Sequence, residues 1–423
     1  MSLSDAQLGE IADKIFVMGD PAKTALPKPS NTAPESLSSR LKLLETWDRY
    51  QNAGIGVIDF TESNPKVWLN NNADTPFRIG STGKLGMMLA AVQLRLDIRQ
   101  IGLNIISSPS DFDALFANPK LWEKAKPRPS KKEQIAMQQI AKNPPLISKI
   151  FDFTKHPVDF AGPVPDKQID DASKKKIVDK LAGEELSWNT TPPLTFSERL
   201  FMAGSYSDNV AATACISEIG VPYIKAVQRS YGLADTAHGM HLLASGDYVA
   251  IPARVKAPGP PPPRQLKYTE PLRVNDAWWD PGTRTFKDHM AKSPGSAAAL
   301  TAYMLALVGE TIPRFWTTIR NNLSDNGGYA LSSYMADGVA SITKITNQFN
   351  KIGILRKKDG AENPIMCEFV YLETKETTPV TGLRSELKYA IIVTGLVSSR
   401  STGDASVNSA ELGKMIHNTL LSL

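Results

Sequence analysis

What the chain lacks narrows its function first. Its 423 residues hold only two cysteines and five histidines. Cys215 and Cys367 fall in a helix-like and a strand-like apolar segment, and they read as buried free thiols rather than a disulfide or a metal pair. His238 and His241 form an H-x-x-H pair with no acidic or third ligand beside them, so no metal and no other cofactor is expected. No stretch approaches the roughly 18 apolar residues of a membrane-spanning helix. The N-terminus has no basic start followed by an apolar core, so no signal peptide is read in this chain. The net charge is only +5, and no dense Lys/Arg run is interleaved with aromatics. Lys174 to Lys176 are balanced by Asp170, Asp171 and Asp179, which describes a solvated helix face and argues against a nucleic-acid partner. No internal repeat is present.

What is there is ordinary globular composition, 42% hydrophobic and 22% charged, enough for a sizeable core. Residues 1–35 read as an N-terminal extension: an amphipathic helix over Leu3 to Met18, then a Pro-rich extended tether from Asp20 to Pro34. Ser36 to Tyr50 has helical spacing. Ala53 to Phe60 and Lys66 to Asn71 are β-rich runs split by T-E-S-N-P, a hairpin signal. Residues from Ile98 to Arg199 alternate short helical patterns with Pro-rich breaks. Tyr248 to Pro294 is Pro-rich, with Trp278-Trp279 near its end as a loop anchor. Ser296 to Val308 predicts a helix. Gly338 to Ile345, Asn350 to Leu355, Ile365 to Glu373 and Tyr389 to Val397 predict strands, and Ala405 to Leu421 a closing helix. Strands thus cluster at both ends of the chain. The expected class is α+β: an antiparallel sheet domain from 36–80 and 296–423 flanked by terminal helices, with an all-helical domain over 81–295 inserted between its halves.

The chemistry centres on Phe77 to Lys84, F-R-I-G-S-T-G-K, directly before the apolar run Leu85 to Leu96. At a helix start, residues i and i+3 share a face, which sets the Lys84 amine beside the Ser81 hydroxyl. The backbone N–H of Ser81 would point out of that start, where developing negative charge is stabilised. The spacing alone does not choose, because Ser-x-x-Lys also begins at Ser39, Ser63, Ser173, Ser341 and Ser385. Only Ser81 combines a hairpin before it with a long apolar helix after it. The competing reading is an N-cap serine followed by a surface lysine.

Further on stand Ser207-Asp208-Asn209, ahead of a helical run, and Lys351-Ile352-Gly353 in a β-branched run. A second S-D-N at Ser324 to Asn326 is followed by Gly327-Gly328 and suits a surface turn; Lys358-Asp359-Gly360 suits a charged hairpin tip. In this order the three motifs resemble those of the serine β-lactamases and penicillin-binding DD-peptidases, closest to the class A pattern, from about Ala53 to the C-terminus. The resemblance implies that fold, and a serine hydrolase cleaving an amide or ester of a small molecule or peptide through an acyl-serine intermediate. It implies a periplasmic or secreted setting. Ser81 would be the nucleophile and Lys84 its activating base. Ser207 would relay a proton to the leaving group, Asn209 would hold the substrate amide, and Lys351 would offer positive potential to a substrate carboxylate. The N–H groups of Ser81 and of Ile354, just past Gly353, would form the oxyanion hole.

Three departures from the class A pattern stand out. Ile352 takes the place of a Thr or Ser whose hydroxyl, in relatives, binds the substrate carboxylate. Ser81 and Ser207 lie 126 residues apart, about twice the class A separation. The deacylating glutamate has its nearest counterpart in Glu270, within E-P-L-R-V-N, one residue longer than the family pattern; a surface glutamate is the competing reading. Two alternatives follow: a DD-carboxypeptidase- or transpeptidase-like protein that deacylates slowly, and an idle binding protein on the same fold.

Overall fold

The computed structural model describes residues 3–102, 105–106, 108–124, 131–153, 159–161, 194–234, 240, 242, 279–280, 285–286, 294–309, 319, 333–355, 365–397 and 402–423. A five-stranded antiparallel sheet carries the architecture. β1 (Gly54–Asp59) and β2 (Lys66–Leu69) come from one end of the chain; β3 (Lys344–Leu355), β4 (Ile365–Lys375) and β5 (Glu386–Val397) come from the other. Their spatial order is β2-β1-β5-β4-β3, so the chain's two ends meet where β1 pairs with β5, Val57 opposite Ile391. Among the described residues β3 is an edge strand.

Alternating side chains on this sheet serve two cores. Along β4, Met366, Val370 and Leu372 join a core with α2 (Glu35–Lys42), α8 (Tyr334–Ala340) and α9 (Thr402–Leu421). Cys367, Phe369 and Tyr371 face the other way, into the larger core built on α3 (Lys84–Ile101), α4 (Phe196–Ser205), α5 (Asn209–Ile219), α6 (Val221–Ser230) and α7 (Ala297–Val308). Local chemistry sets the helix ends. A Thr195/Glu198 capping box opens α4, and the Ser296 and Ser333 hydroxyls cap α7 and α8. Terminal helices on one face and a helical body on the other give the α+β arrangement expected from the sequence.

Two expectations change. The N-terminal residues are not a tether outside the fold. Helix α1 (Asp5–Ala12) and a 3-10 turn at Phe16–Met18 bury Leu8, Ile11, Ile15, Val17 and Met18 in the larger core. The Phe16 amide donates to Asp97 Oδ1 at 3.1 Å, and the Leu26 amide to the Tyr231 carbonyl at 2.8 Å. The prolines shape a path over the helical body without detaching it. Second, the strand expected over Gly338 to Ile345 holds only at its end: α8 runs to Ala340, a turn follows, and β3 begins at Lys344. Val339 and Ile345 gave the segment a β-like composition, but the Ser333 cap and packing against α9 decide it. The two free cysteines are buried, as expected.

Helices α8 and α9 approach at backbone distance. A Cβ on Gly338 would stand 2.1 Å from the Ala410 carbonyl oxygen. Gly338→Ala therefore forces the helices apart, and a loss of about 1–3 kcal/mol is expected for such overpacking. Urea unfolding measures it; an unchanged midpoint would show that the contact bears no strain.

Candidate active site

Backbone geometry positions Ser81. Phe77–Arg78 pairs with Pro294–Gly295, and the chain then enters a 3-10 turn over Gly80–Gly83 that runs straight into α3 at Lys84. Gly80 opens the turn at φ +52°, a left-handed value that glycine tolerates. Ser81 thus lies in the turn before the α-helix rather than in its first turn. Lys84 Nζ stands 3.3 Å from Ser81 Oγ. Lys84 is 0% exposed, so it is no surface lysine. By contrast Ser39, Ser63, Ser341 and Ser385 are all exposed.

Ser207 comes from the bend between α4 and α5. It adopts φ +57°, unusual for a residue with a Cβ and costing about 1–3 kcal/mol. In that conformation its carbonyl accepts from Lys84 Nζ, and its Oγ lies 3.3 Å from the same amine and 2.7 Å from Lys351 Nζ. The next residue, Asp208, caps α5 by accepting from the Ala211 amide at 2.6 Å. That cap fixes Asn209 at the first position of the helix, with its Oδ1 2.8 Å from Lys84 Nζ.

Lys351 arrives on the edge strand β3, 1% exposed, and also donates to the Ile352 carbonyl at 3.2 Å. Gly353 explains how strand and turn come so close. A Cβ there would sit 2.0 Å from the Ile79 carbonyl oxygen and 3.0 Å from the Thr82 nitrogen. Ile352 is buried and pairs across the sheet with Glu368, whose carboxylate accepts from Ser333 at 2.5 Å. Ile354 follows, paired with Met366.

Ser81, Lys84, Ser207, Asn209 and Lys351, drawn from distant parts of the chain, therefore share one cluster, with Gly353 as its spacer. Glu270 lies outside the described residues, as do His238, His241, Trp278, Ser324 to Asn326 and Lys358 to Gly360.

Burial governs the electrostatics. Desolvation pulls Lys84 well below the ordinary lysine value, the Lys351 charge pulls the same way, and Asp208 opposes both. Lys351 is lowered to about 7, again by desolvation, with Cys367 opposing. Burial thus favours the neutral form of both amines. Sequence reasoning missed two contributors. Asp208 acts as both cap and counter-charge, and an Asp ahead of a helical run is a readable cap signal. Cys367 is fully buried beside Thr82 of the turn, its pKa pushed up to about 12 by burial; no local pattern announces that contact.

No known family profile matches the chain, and no curated protein matches it. Among solved structures it is similar to the class A beta-lactamase of the last common ancestor of Gram-negative bacteria, at 14% identity over 90% of this chain and 98% of that one, with a TM-score of 0.41. A variant of that ancestral enzyme has 14% identity, coverage of 90% and 96%, and a TM-score of 0.40. A protein complexed with relebactam has 13% identity, coverage of 87% and 90%, and a TM-score of 0.40.

The buried amines make stability depend on pH. Lys351 titrates near 7 in the folded protein and near 10.5 in an unfolded chain. Between these values the unfolded state binds more protons, so this group raises stability as pH rises. Lys351→Met removes that contribution. Its stability relative to wild type should fall by about 1 kcal/mol per pH unit from pH ~7 to ~8.5. Urea midpoints at the two ends of that range measure it, and a pH-independent difference would show that Lys351 is charged in the folded state.

Proposed function

We propose that this protein is a serine-dependent acyl-transfer enzyme of the β-lactamase-like kind, hydrolysing an amide or ester through an acyl-Ser81 intermediate. The observation that carries this reading is the buried Lys84 amine, 3.3 Å from Ser81 Oγ and linked through Ser207 to a second buried amine. An alcohol needs a neutral base to attack at ordinary pH, and desolvation beside a cation makes an amine into one.

The steps balance without a cofactor. As Ser81 Oγ bonds to the acyl carbon, its proton passes to Lys84. The N–H groups of Ser81 and Ile354 stabilise the oxyanion. When the carbon–leaving-group bond breaks, Ser207 Oγ protonates the departing atom and regains a proton from the lysines it contacts. Asn209, its Oδ1 engaged by Lys84, orients the substrate through its amide N–H groups. Water then attacks the acyl carbon, with Glu270 proposed as the base that takes its proton; the Ser81 Oγ–carbon bond breaks, Ser81 recovers the proton held by Lys84, and the free acid leaves.

Intact-mass analysis after exposure to an activated ester or a penicillin tests the first half. An adduct of one acyl group is expected in wild type and none in Ser81→Ala, with Lys84→Ala slower by about 10²–10⁴-fold. A folded protein that forms no Ser81 adduct with any acyl donor would reduce the chain to a binding protein on this fold. An unchanged rate in Lys84→Ala would remove that lysine as base.

The second half turns on adduct lifetime. Glu270→Gln should lengthen it by about 10²-fold or more if the carboxylate activates water. Equal lifetimes would strike Glu270 from the mechanism and favour the slowly deacylating, DD-peptidase-like alternative.

A further inference from the structure

We propose that the N-terminal segment is a brace between the two bodies of the fold: it ties the helical body to the sheet edge remote from Lys351 and so limits how far the site opens. The brace acts on the motion of the cleft and holds whether or not Ser81 is acylated. Its anchors lie at both ends of the segment. On the helical body the Phe16 ring centre lies 4.5 Å from that of Tyr231, and the Phe16 amide reaches a buried hub. There the Asp97 carboxylate also accepts from Gln93 at 2.8 Å and from Tyr223 at 2.7 Å, and Gln93 in turn accepts from Tyr231 at 2.7 Å. One amide of the segment thus joins a network that spans α3 and α6. The Thr24 hydroxyl adds a bond to the Ser230 carbonyl at 2.7 Å.

At the other end the segment extends the sheet. Asn31 stands in for a strand residue: its Oδ1 accepts from the Leu69 amide at 2.5 Å, and its Nδ2 donates to the Leu69 carbonyl at 3.2 Å. The Thr32 hydroxyl accepts from the Val67 amide at 2.9 Å, and the Thr32 and Ala33 amides both donate to the Val67 carbonyl at 2.9 Å. Between Leu26, bonded to Tyr231, and Asn31, bonded to β2, stand only Pro27-Lys28-Pro29-Ser30. Proline fixes φ, so this link has little slack. Its lysine pairs with Asp74 beyond β2.

Placement gives the brace its effect. The order β2-β1-β5-β4-β3 puts β2 and β3 at opposite edges of the sheet. The helical body meets the β3 edge at the site, through Ser207 with Lys351 and Ile79 with Gly353. It meets the β2 edge through the N-terminal segment. Hinge and shear motions of packed bodies open the clefts between them. A body tied to a sheet at one edge can rock on it; a second tie at the opposite edge resists that rocking.

Lys351 reads the opening, because at 1% exposure its amine meets a reagent only when the site parts. The full-length protein is treated with acetic anhydride at one pH, and the acetylation rate of Lys351 is followed by peptide mass spectrometry. Two variants cut the brace from the segment's own side: Asn31→Ala with Thr32→Ala at the sheet end, and Phe16→Ala at the helical end. Asn31 and Thr32 are exposed, so the first variant leaves the core packing in place. Both variants are expected to raise the Lys351 rate by about threefold or more, the size of one net hydrogen bond. A rise in only one of them, or in neither, would overturn the brace, because a tie cut at either end has the same effect. A rise matched by equally faster hydrogen exchange throughout α9 would mark general unfolding and overturn it too.

Discussion

Two lysine side chains buried at the junction of a sheet and a helical body set the terms for the rest of the structure. An ammonium taken out of water costs several kcal/mol, so a fold that does this twice within one cluster must offset the cost or neutralise the groups. Both happen here. The Ser207 and Ile352 carbonyls, the Asn209 amide oxygen and the Ser207 hydroxyl solvate the amines in place of water. Desolvation then favours the neutral form, most strongly at Lys84, which also feels Lys351. The same burial that destabilises the protein near neutral pH favours the uncharged Lys84 amine, the form that the proposed acyl transfer requires. Stability and reactivity are set in opposition by one physical cause.

Holding that cluster requires backbone to approach backbone. Lys351 comes from the edge strand, Lys84 from the start of a helix and Ser207 from a bend between helices, so three separate segments must converge within hydrogen-bond range. Gly353 permits the strand to touch the Ser81 turn, and the left-handed Ser207 directs both its carbonyl and its hydroxyl at the amines. Neither arrangement is favourable locally. Each persists because the two cores on either face of the sheet fix the elements on which these residues stand. The buried N-terminal helix adds to the larger core and ties onto α3 through the Phe16 amide and Asp97, thirteen positions along the helix that begins with Lys84.

Much of this was legible in the sequence, and the reasons differ by residue. The strands at the two ends of the chain were readable because β-branched runs such as Gly54 to Asp59 and Tyr389 to Val397 alternate between two buried faces. Ser81 and Lys84 were readable through context, since the local spacing recurs at exposed serines such as Ser63 and Ser385. What local pattern missed was decided at long range. Prolines between Asp20 and Pro34 signalled a tether because proline marks extended chain, yet extended chain packs when Leu26 can bond to Tyr231. Gly338 to Ile345 signalled a strand, but a serine cap and close contact with α9 hold its first residues in helix, and the strand begins only at Lys344. The left-handed Ser207 has no signature at all, because its conformation is imposed by what it must reach.

The role of Lys351 shows where motif and geometry part. From its position in the third motif, it is an anchor for a substrate carboxylate. From its contacts, it is a member of a proton chain: 2.7 Å from Ser207 Oγ, almost fully buried, and titrating near 7. These roles compete for the same atom. An anion anchor works best when it stays charged across the working pH range and is open to the cleft, whereas a proton donor works best when its two protonation states are close in energy and its acceptor is fixed. Burial and the bond to Ser207 favour the second role.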